Sequence, residues 1–521
     1  MPPINKLQLP AVIALACVAV AAILLATKPG IGITPDSTVY LEAGRNLAGG
    51  HGLIALSANG ELKPLTHYPP LYPAAIAVIS AAGLSAETAA RWLNAFLFGA
   101  SILLVGFALA RLASKSFWTP VLGSFLALTA VDIVGIHTLA LSEPLFMFLA
   151  FAGFILLAAY FDDGEQRLLF AAALAIAAAF LTRYVGVVLV FTGVVAIVLF
   201  HATAYRRRVV DAAIFVTIAC TPMLLWTIRN HYVGGETTDR SLAFHPIKLG
   251  QIAAGFSTMS SWLLLGKVRT DLRAAGFLIQ ILVIAAMVAY WFIRMVRKPN
   301  HALPDGRDAG LVKLPAILAT FIISNFLFLI FAASFIESAT YLDDRSLVAM
   351  HFAAVILGTI LAWRLYRSAT TPPKLRLALV ILALLLAVSY SFRAVNWFAI
   401  TRGDAQGYAG RSWTESDTIA RIRSLPADAA IYSNGHDAIY YLTGRRAIYL
   451  PQKVNMITGR ANENYEAQLK QIAADLQAGG GVLVYFNTLS ERWFLPTAEE
   501  LESKLAWNKR EAFADGTIYR R

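Results

Sequence analysis

Apolar runs of about 17 to 25 residues, each long enough to cross a bilayer as a helix, recur from residue 9 to residue 397. In a hydrocarbon core every backbone N–H and C=O must find its partner within the segment, so such a chain folds as a bundle of spanning helices. About eleven spans are expected, near 9–27, 93–110, 117–136, 144–160, 168–182, 185–202, 209–228, 275–293, 314–335, 346–363 and 377–397. The composition agrees, with 58% hydrophobic and 15% charged residues, against roughly 45 to 50% and 25% in soluble domains. Disorder, a collagen-like fibre and a disulfide-stapled secreted scaffold are excluded. Cys17 and Cys220 both lie inside apolar runs and read as packed thiols. The first run, Leu9 to Thr27, spans and lacks a small-residue cleavage site before Pro29, which makes it an anchor rather than a cleaved leader.

The net charge of +12 is spread through the short gaps between runs. With the N-terminus cytoplasmic, the inner gaps hold Arg111 and Lys115, then Arg167, then Arg206, Arg207 and Arg208. Arg294, Arg297, Lys298, Arg307 and Lys313 follow, then Arg364, Arg367, Lys374 and Arg376. That is the positive-inside pattern of a multi-pass protein of the cytoplasmic membrane, with the lipid bilayer as its partner and no nucleic acid. Residues 28–92, the gap after 136, 229–274, 336–345 and everything after 398 then face outward. Pro69 to Leu84 is apolar too, but it is only about 15 residues long and opens on two prolines, as an interfacial or re-entrant helix would. Counting it as a span would put the basic clusters outside.

The chain divides at about residue 400. Residues 1–400 form the membrane domain, and 403–521 a soluble extracytoplasmic α/β domain in which charge rises and short alternating segments appear. The pattern predicts a helix over 414–425, strands over 429–434, 447–450 and 482–486, and helices over 436–442 and 465–477. A last helix opens at Thr497 with Glu500 three residues on, the spacing of a reciprocal capping box. A glycine fingerprint for nucleotides and a hydrolase triad are both missing there.

Ionisable groups near lipid are costly and tend to mark function. Apart from the inner basic clusters they gather at the outer ends of spans: Asp36, Glu42, Arg45, Lys63, His67, Asp132, His137, Glu143, Arg183, Glu337, Asp343, Asp344 and Arg345. An outward polar cavity at headgroup level follows. Within the first outer loop, 28–92, Thr34 reads as an N-cap, Pro35 as the first helical residue and Gly49–Gly50 as the stop of a short helix. Asp36 in its first turn has two readings, a carboxylate favoured by the helix dipole or one held within reach of a lipid-borne substrate.

Read together, TPDSTVYLEAGRNLAGGHG, THYPPLYP (66–73), LSEPLFMFL (141–149), LTRYVG (181–186) and YLDDRSL (341–347) resemble the GT-C superfamily of polyprenyl-phosphate-sugar-dependent glycosyltransferases. The resemblance is to the bacterial branch with the protein O-mannosyltransferases and the lipid A aminoarabinose transferase, and it covers most of residues 1–400. It implies a polytopic helical fold, a polyprenyl-phosphate sugar donor, an extracytoplasmic acceptor and an acidic first-loop residue as catalytic base, here Asp36. Pro69-Pro70-Leu71 matches the family's Pro-Pro-Leu element, and Glu143 stands where several relatives carry Asp. Where the aminoarabinose transferase has an acidic-basic pair before that element, this chain has His67-Tyr68. Inversion at the sugar carbon is a further implication.

That chemistry asks for a carboxylate to take the acceptor's proton and for cations or a divalent metal to steady the departing phosphate. Asp36 and Glu143 are the catalytic candidates, and His67, Arg183 and Arg345 the phosphate-binding ones; Tyr40, Tyr68, Tyr184, Asp343 and Asp344 would line the cavity. Each has a structural alternative. Arg183 could reach headgroups, Arg345 could pair with Asp343 or Asp344 on the surface, and Glu143 could open the fourth span with Pro144. Two other function classes stay open: a transporter or flippase of lipid-linked saccharides, with polar groups at both faces, and a non-catalytic anchor for the outer domain.

Overall fold

The computed structural model describes residues 7–114, 116–235, 237–238, 242–263, 311–336, 340–479, 481–505 and 507–520. Among these, seven helices are long and apolar enough to cross a membrane: Gln8–Ala26, Ala86–Leu112, Glu143–Asp163, Tyr205–Gly234, Leu314–Phe335, Asp344–Arg367 and Pro373–Thr401. The protein is therefore a polytopic α-helical membrane protein. The expected single span at 117–136 is instead a pair, Trp118–Thr129 and Val131–His137, bent by 62°. Its break is Ala130, whose ψ of 114° is extended rather than helical. Shorter apolar helices, Gln166–Phe180 and Tyr184–Phe200, occupy the runs expected at 168–182 and 185–202. The expected span at 275–293 lies outside the described residues.

Small residues let the leading helices approach. A Cβ on Gly99 would meet Val20 at 2.6 Å, and one on Gly106 would meet Val12 at 2.2 Å, so Gln8–Ala26 packs closely along Ala86–Leu112. Arg91 fastens their ends on the side of the first loop by donating to the Leu24 carbonyl at 2.6 Å. At the other ends of their neighbours, the fully buried Asp211 accepts from Tyr160 at 2.6 Å and pairs with Arg207 at 3.0 Å.

The loop after the first span carries the helix Pro35–Ala48, capped by Thr34 and Ser37 bonding to each other's backbone N–H, as the Thr-Pro-Asp start predicts. A small hairpin follows, β1 (Ile54–Leu56) and β2 (Leu62–Pro64). The Pro-Pro-Leu segment becomes the 10-residue helix Leu71–Ser80. At 1.5 Å per residue it reaches about 15 Å, half a hydrocarbon core, which agrees with an interfacial element.

After Thr401 the chain builds a five-stranded mixed sheet from β3 (Ile431–Ser433), β4 (Ile448–Tyr449), β5 (Val482–Phe486), β6 (Lys509–Ala512) and β7 (Gly516–Arg520). Their order is β4-β3-β5-β7-β6, with β3 parallel to both β4 and β5 and the last two strands antiparallel. The first three strands stand where the alternation predicts them. The closing hairpin is an addition that the sequence reading lacked, although Asp515-Gly516 marks it. The reciprocal capping box expected at Thr497 is only half made. Thr497 accepts from the Glu500 N–H at 3.3 Å, whereas the Glu500 carboxylate is drawn away to Lys453 at 2.8 Å and Tyr465 at 3.0 Å.

The sheet domain sits on the first loop. Tyr440 donates to Glu42 at 2.9 Å, and the Tyr449 N–H donates to the Ala58 carbonyl at 2.9 Å. Just ahead of Thr34, residues 32 and 33 run between two other backbone segments. Gly32 exchanges bonds with Thr138 and Ala140, and Ile33 with Gln406 and Tyr408. The start of the Asp36 helix is thereby tied both to the chain leading into Glu143 and to the linker leading into the sheet.

Candidate active site

Five segments of the chain deliver side chains to one place at the start of the first-loop helix. Asp36 stands in the first turn of Pro35–Ala48, and Tyr68 just before the Pro-Pro-Leu element donates to its Oδ1 at 2.7 Å. Arg345, at the start of Asp344–Arg367, donates through Nη2 to Oδ2 at 2.5 Å. Its Nε bonds Glu143 Oε1, the first residue of Glu143–Asp163. Arg183 Nη1 reaches that same oxygen at 2.6 Å. One glutamate thus holds two guanidiniums, and one of them holds the aspartate.

Burial grades the cluster. Glu143 is 3% exposed, whereas Asp36 is 24%, Arg183 25% and Arg345 35% exposed. The glutamate is the fixed floor and the other three face the opening. Ser142 bridges further: its Oγ lies 3.2 Å from the Tyr40 hydroxyl and accepts from Arg183 at 3.2 Å. The Tyr40 ring packs on Tyr68 at 4.8 Å and edge-on to Tyr72 at 5.4 Å, an apolar wall beside the charges.

The electrostatics follow from these neighbours. Burial raises the Asp36 carboxyl, but Arg345, the Tyr68 hydroxyl and Arg183 outweigh it and hold the group down at about 2. Asp36 is therefore ionised at neutral pH. Burial, and then the Asp36 charge, push the Tyr68 hydroxyl well above its usual range, so it remains a donor. Two carboxylates and two guanidiniums balance one another.

The remaining sequence candidates fall around this centre. Tyr184 donates to the Thr66 carbonyl at 3.0 Å and braces the segment that presents Tyr68. His67 has its ring edge-on to Tyr68 at 4.5 Å. Asp343 is exposed and serves as the N-cap of Asp344–Arg367, accepting from the Ser346 N–H at 2.8 Å, and Asp344 is exposed beside it. Arg345 turns inward to Asp36 and Glu143 rather than pairing with either of these aspartates. His137, among the ionisable groups at the outer ends of spans, is fully buried, its Nδ1 2.7 Å from the Ile133 carbonyl and its ring 4.6 Å from Phe98. Glu337 lies outside the described residues.

Several supporting groups escaped the sequence reading. Arg229 donates to the Leu65 carbonyl at 2.7 Å and Asn230 to the Thr66 carbonyl at 3.3 Å, so the end of Tyr205–Gly234 also holds the Tyr68 segment. The only hint was a polar Arg-Asn pair directly after an apolar run. A second buried triad, Asp132–His351–Tyr390, has the imidazole 2.7 Å from the carboxylate and 2.9 Å from the hydroxyl. Trp262 stacks flat on that imidazole at 4.5 Å, which docks the end of the Leu249–Ser261 helix. Trp226 packs against Arg229 in the same way as Trp262 packs against His351, each ring covered by a cationic or imidazole side chain.

A divalent ion would need several free carboxylate or imidazole donors converging. Among the described residues no three His, Cys, Asp or Glu side chains do so. Asp36 and Glu143 are both engaged by arginines.

The spanning bundle, the first-loop helix and the sheet beyond the last span form a fold that this chain shares with solved structures of other proteins. The chain is similar to the crystal structure of ArnT from Cupriavidus metallidurans bound to undecaprenyl phosphate, over 98% of this chain and 97% of that one, at 14% identity and a TM-score of 0.57. It is also similar to the Archaeoglobus fulgidus oligosaccharyltransferase in the apo form, over 92% of this chain and 69% of that one, at 11% identity and a TM-score of 0.52. The arabinofuranosyltransferase AftD from Mycobacteria matches 98% of this chain at 13% identity and a TM-score of 0.51, the chain spanning 39% of AftD. No family model and no curated protein matches the sequence.

Proposed function

We propose that the chain is a membrane glycosyltransferase that moves one sugar, a hexosyl or pentosyl unit, from a polyprenyl-phosphate donor to an acceptor outside the cytoplasm, with inversion. The observation that carries this reading is one ionised, partly exposed carboxylate, Asp36, paired with Arg345, which shares Glu143 with a second guanidinium, Arg183. Transfer from a lipid phosphate needs that set. The acceptor oxygen bonds the anomeric carbon as the bond from carbon to phosphate oxygen breaks. The electron pair of that bond goes to the phosphate, and the acceptor proton goes to Asp36. Arg345 and Arg183 meet the growing phosphate charge in a partly dry site. Glu143 positions both arginines, and Tyr68 orients Asp36. No step runs through a metal ion.

The membrane arrangement belongs to the same proposal: about eleven spans, a cytoplasmic N-terminus in the inner membrane, and residues 403–521 as an extracytoplasmic domain above residues 1–400. The similarity to a structure that holds undecaprenyl phosphate supports a lipid-phosphate donor. The transporter reading asks for matching polar sites at both faces. At the far end Asp211 is engaged by Tyr160 and Arg207, which serves to tie helices together. The test is to supply membranes containing the protein with a panel of radiolabelled polyprenyl-phosphate sugars and follow label into water-soluble, lipid and protein fractions. Label that leaves the donor only when the protein is present supports the proposal; a donor that crosses the bilayer with its sugar still attached contradicts it.

A further inference from the structure

In this arrangement the proposed base and one proposed phosphate-binding cation are bound to each other. Tyr68 occupies Asp36 Oδ1, and Arg345 Nη2 occupies Oδ2 at 2.5 Å, while Arg345 Nε is held by Glu143. An acceptor hydroxyl must hand its proton to an oxygen that already accepts a charged donor. The same guanidinium is wanted by the phosphate. Of the groups involved, Glu143 is almost fully enclosed, whereas Arg345 is about one-third exposed on a long, flexible stem at the mouth of its helix. The arginine is the part that can move.

We propose that Arg345 is a donor-operated guard on the base: it is clamped on Asp36 while the site is empty and passes to the phosphate oxygens of the bound polyprenyl-phosphate donor, which frees Asp36 Oδ2 for the acceptor's proton. This rests on the transferase reading. Charge accounting favours the exchange. The cluster by itself is neutral, with two carboxylates against two guanidiniums, and the donor phosphodiester adds a negative charge that Asp36 must share cations with. As the bond from carbon to phosphate oxygen breaks, the departing polyprenyl phosphate becomes more negative and holds Arg345 more firmly. Asp36, relieved of its partner, becomes a stronger base at the stage when the attacking oxygen becomes acidic. The interaction is then stronger in the transition state than in the ground state, the condition for raising rate rather than affinity. Binding is ordered, with donor before acceptor. Glu143 keeps hold of Arg183 throughout and gives Arg345 a fixed point of return.

The experiment is infrared difference spectroscopy of the full-length protein in phosphatidylcholine nanodiscs, with undecaprenyl phosphate as the probe. The Asp36 carboxylate band is identified by its loss in Asp36→Asn, and bound lipid is counted with a radiolabel. Saturation with the lipid is expected to shift that band and raise its titration midpoint by at least about one pH unit, the size of effect an adjacent opposite charge exerts. In Arg345→Gln, or in Arg345→Met should the glutamine variant fail to fold, the unliganded band should already lie near the lipid-bound position and move little on adding lipid. Lipid that binds while the native Asp36 band and midpoint stay fixed overturns the guard and leaves the transferase reading standing. A lipid-driven shift that persists in Arg345→Gln overturns it too, since another group must cause it. Failure of the lipid to bind overturns both.

Discussion

Arg345 and Asp36, separated by 309 positions in sequence, meet at 2.5 Å at the mouth of the site. This pair links the first-loop helix to the start of a spanning helix near the other end of the membrane domain. It sets the charge of the carboxylate on which the proposed chemistry depends. Arg345→Gln should lower transfer by roughly 10²- to 10³-fold, the usual cost of removing one donor aimed at developing charge. Its pH profile should change as well. Asp36 is held at about 2 against an ordinary 3.8, so it stays ionised and competent until the pH falls through the lower value. Removing Arg345 raises that value, and the acid limb of kcat/KM for the donor should move up toward the ordinary aspartate range. An unmoved limb in the variant contradicts the pairing.

Glu143 is the buried floor beneath two arginines. Glu143→Ala leaves both guanidiniums without their shared acceptor, and losing a hydrogen bond to a charged group in this way typically costs about 1.5 to 3 kcal/mol. Denaturation in detergent should show that loss, together with a raised KM for the donor. If stability and KM both match the native protein, Glu143 does not hold the arginines in solution.

Much of this centre was legible in the sequence. Asp36 was marked by the Thr-Pro-Asp helix start, and Arg183 and Arg345 by being basic residues at span ends away from the inner clusters. Their partners were not legible. Which carboxylate Arg345 meets depends on how Glu143–Asp163 and Asp344–Arg367 lie against the first loop, and local pattern carries no such information. Asp343 looked like a cavity residue because capping and ligand-binding aspartates share the same signature, a carboxylate ahead of a helix. The bend at Ala130 was hidden for a related reason. No proline or glycine marks it, and an apolar run reads as continuous whether or not one residue turns extended. The strands β3, β4 and β5 were visible from alternation, whereas β6, Lys-Arg-Glu-Ala, has exposed polar residues and reads as loop until its partner β7 is placed.

The linker to the sheet domain sets the position of the first loop. Gly407 has φ +61°, and a Cβ there would lie 2.0 Å from the Ile33 carbonyl oxygen, so no side chain fits without moving the strand ahead of Thr34. Gly407→Val should cut transfer at least 10-fold while the protein remains folded, because small misplacements of catalytic groups are costly. Circular dichroism and lipid-phosphate binding distinguish this from unfolding. Native activity in a folded Gly407→Val variant shows that the tie does not govern the site.

Metal removal tests the donor set. With Asp36 and Glu143 engaged by Arg345 and Arg183, transfer should be unchanged by EDTA and by added Mg²⁺ or Mn²⁺. Loss of activity with chelator, restored by one divalent ion, shows that the arginines give way to a cation the residues do not suggest.

The central claim is that Asp36 is the base of sugar transfer from a lipid phosphate. Its most direct measurement is label transfer from polyprenyl-phosphate sugars in membranes holding equal amounts of native protein and Asp36→Asn. The asparagine keeps the shape and the contact with Tyr68 but cannot take a proton. The account predicts that the native protein labels an acceptor and that the variant falls by about 10²- to 10⁴-fold, the range for a lost general base. Equal transfer by the two proteins would contradict it and leave Asp36 as the residue that starts a helix.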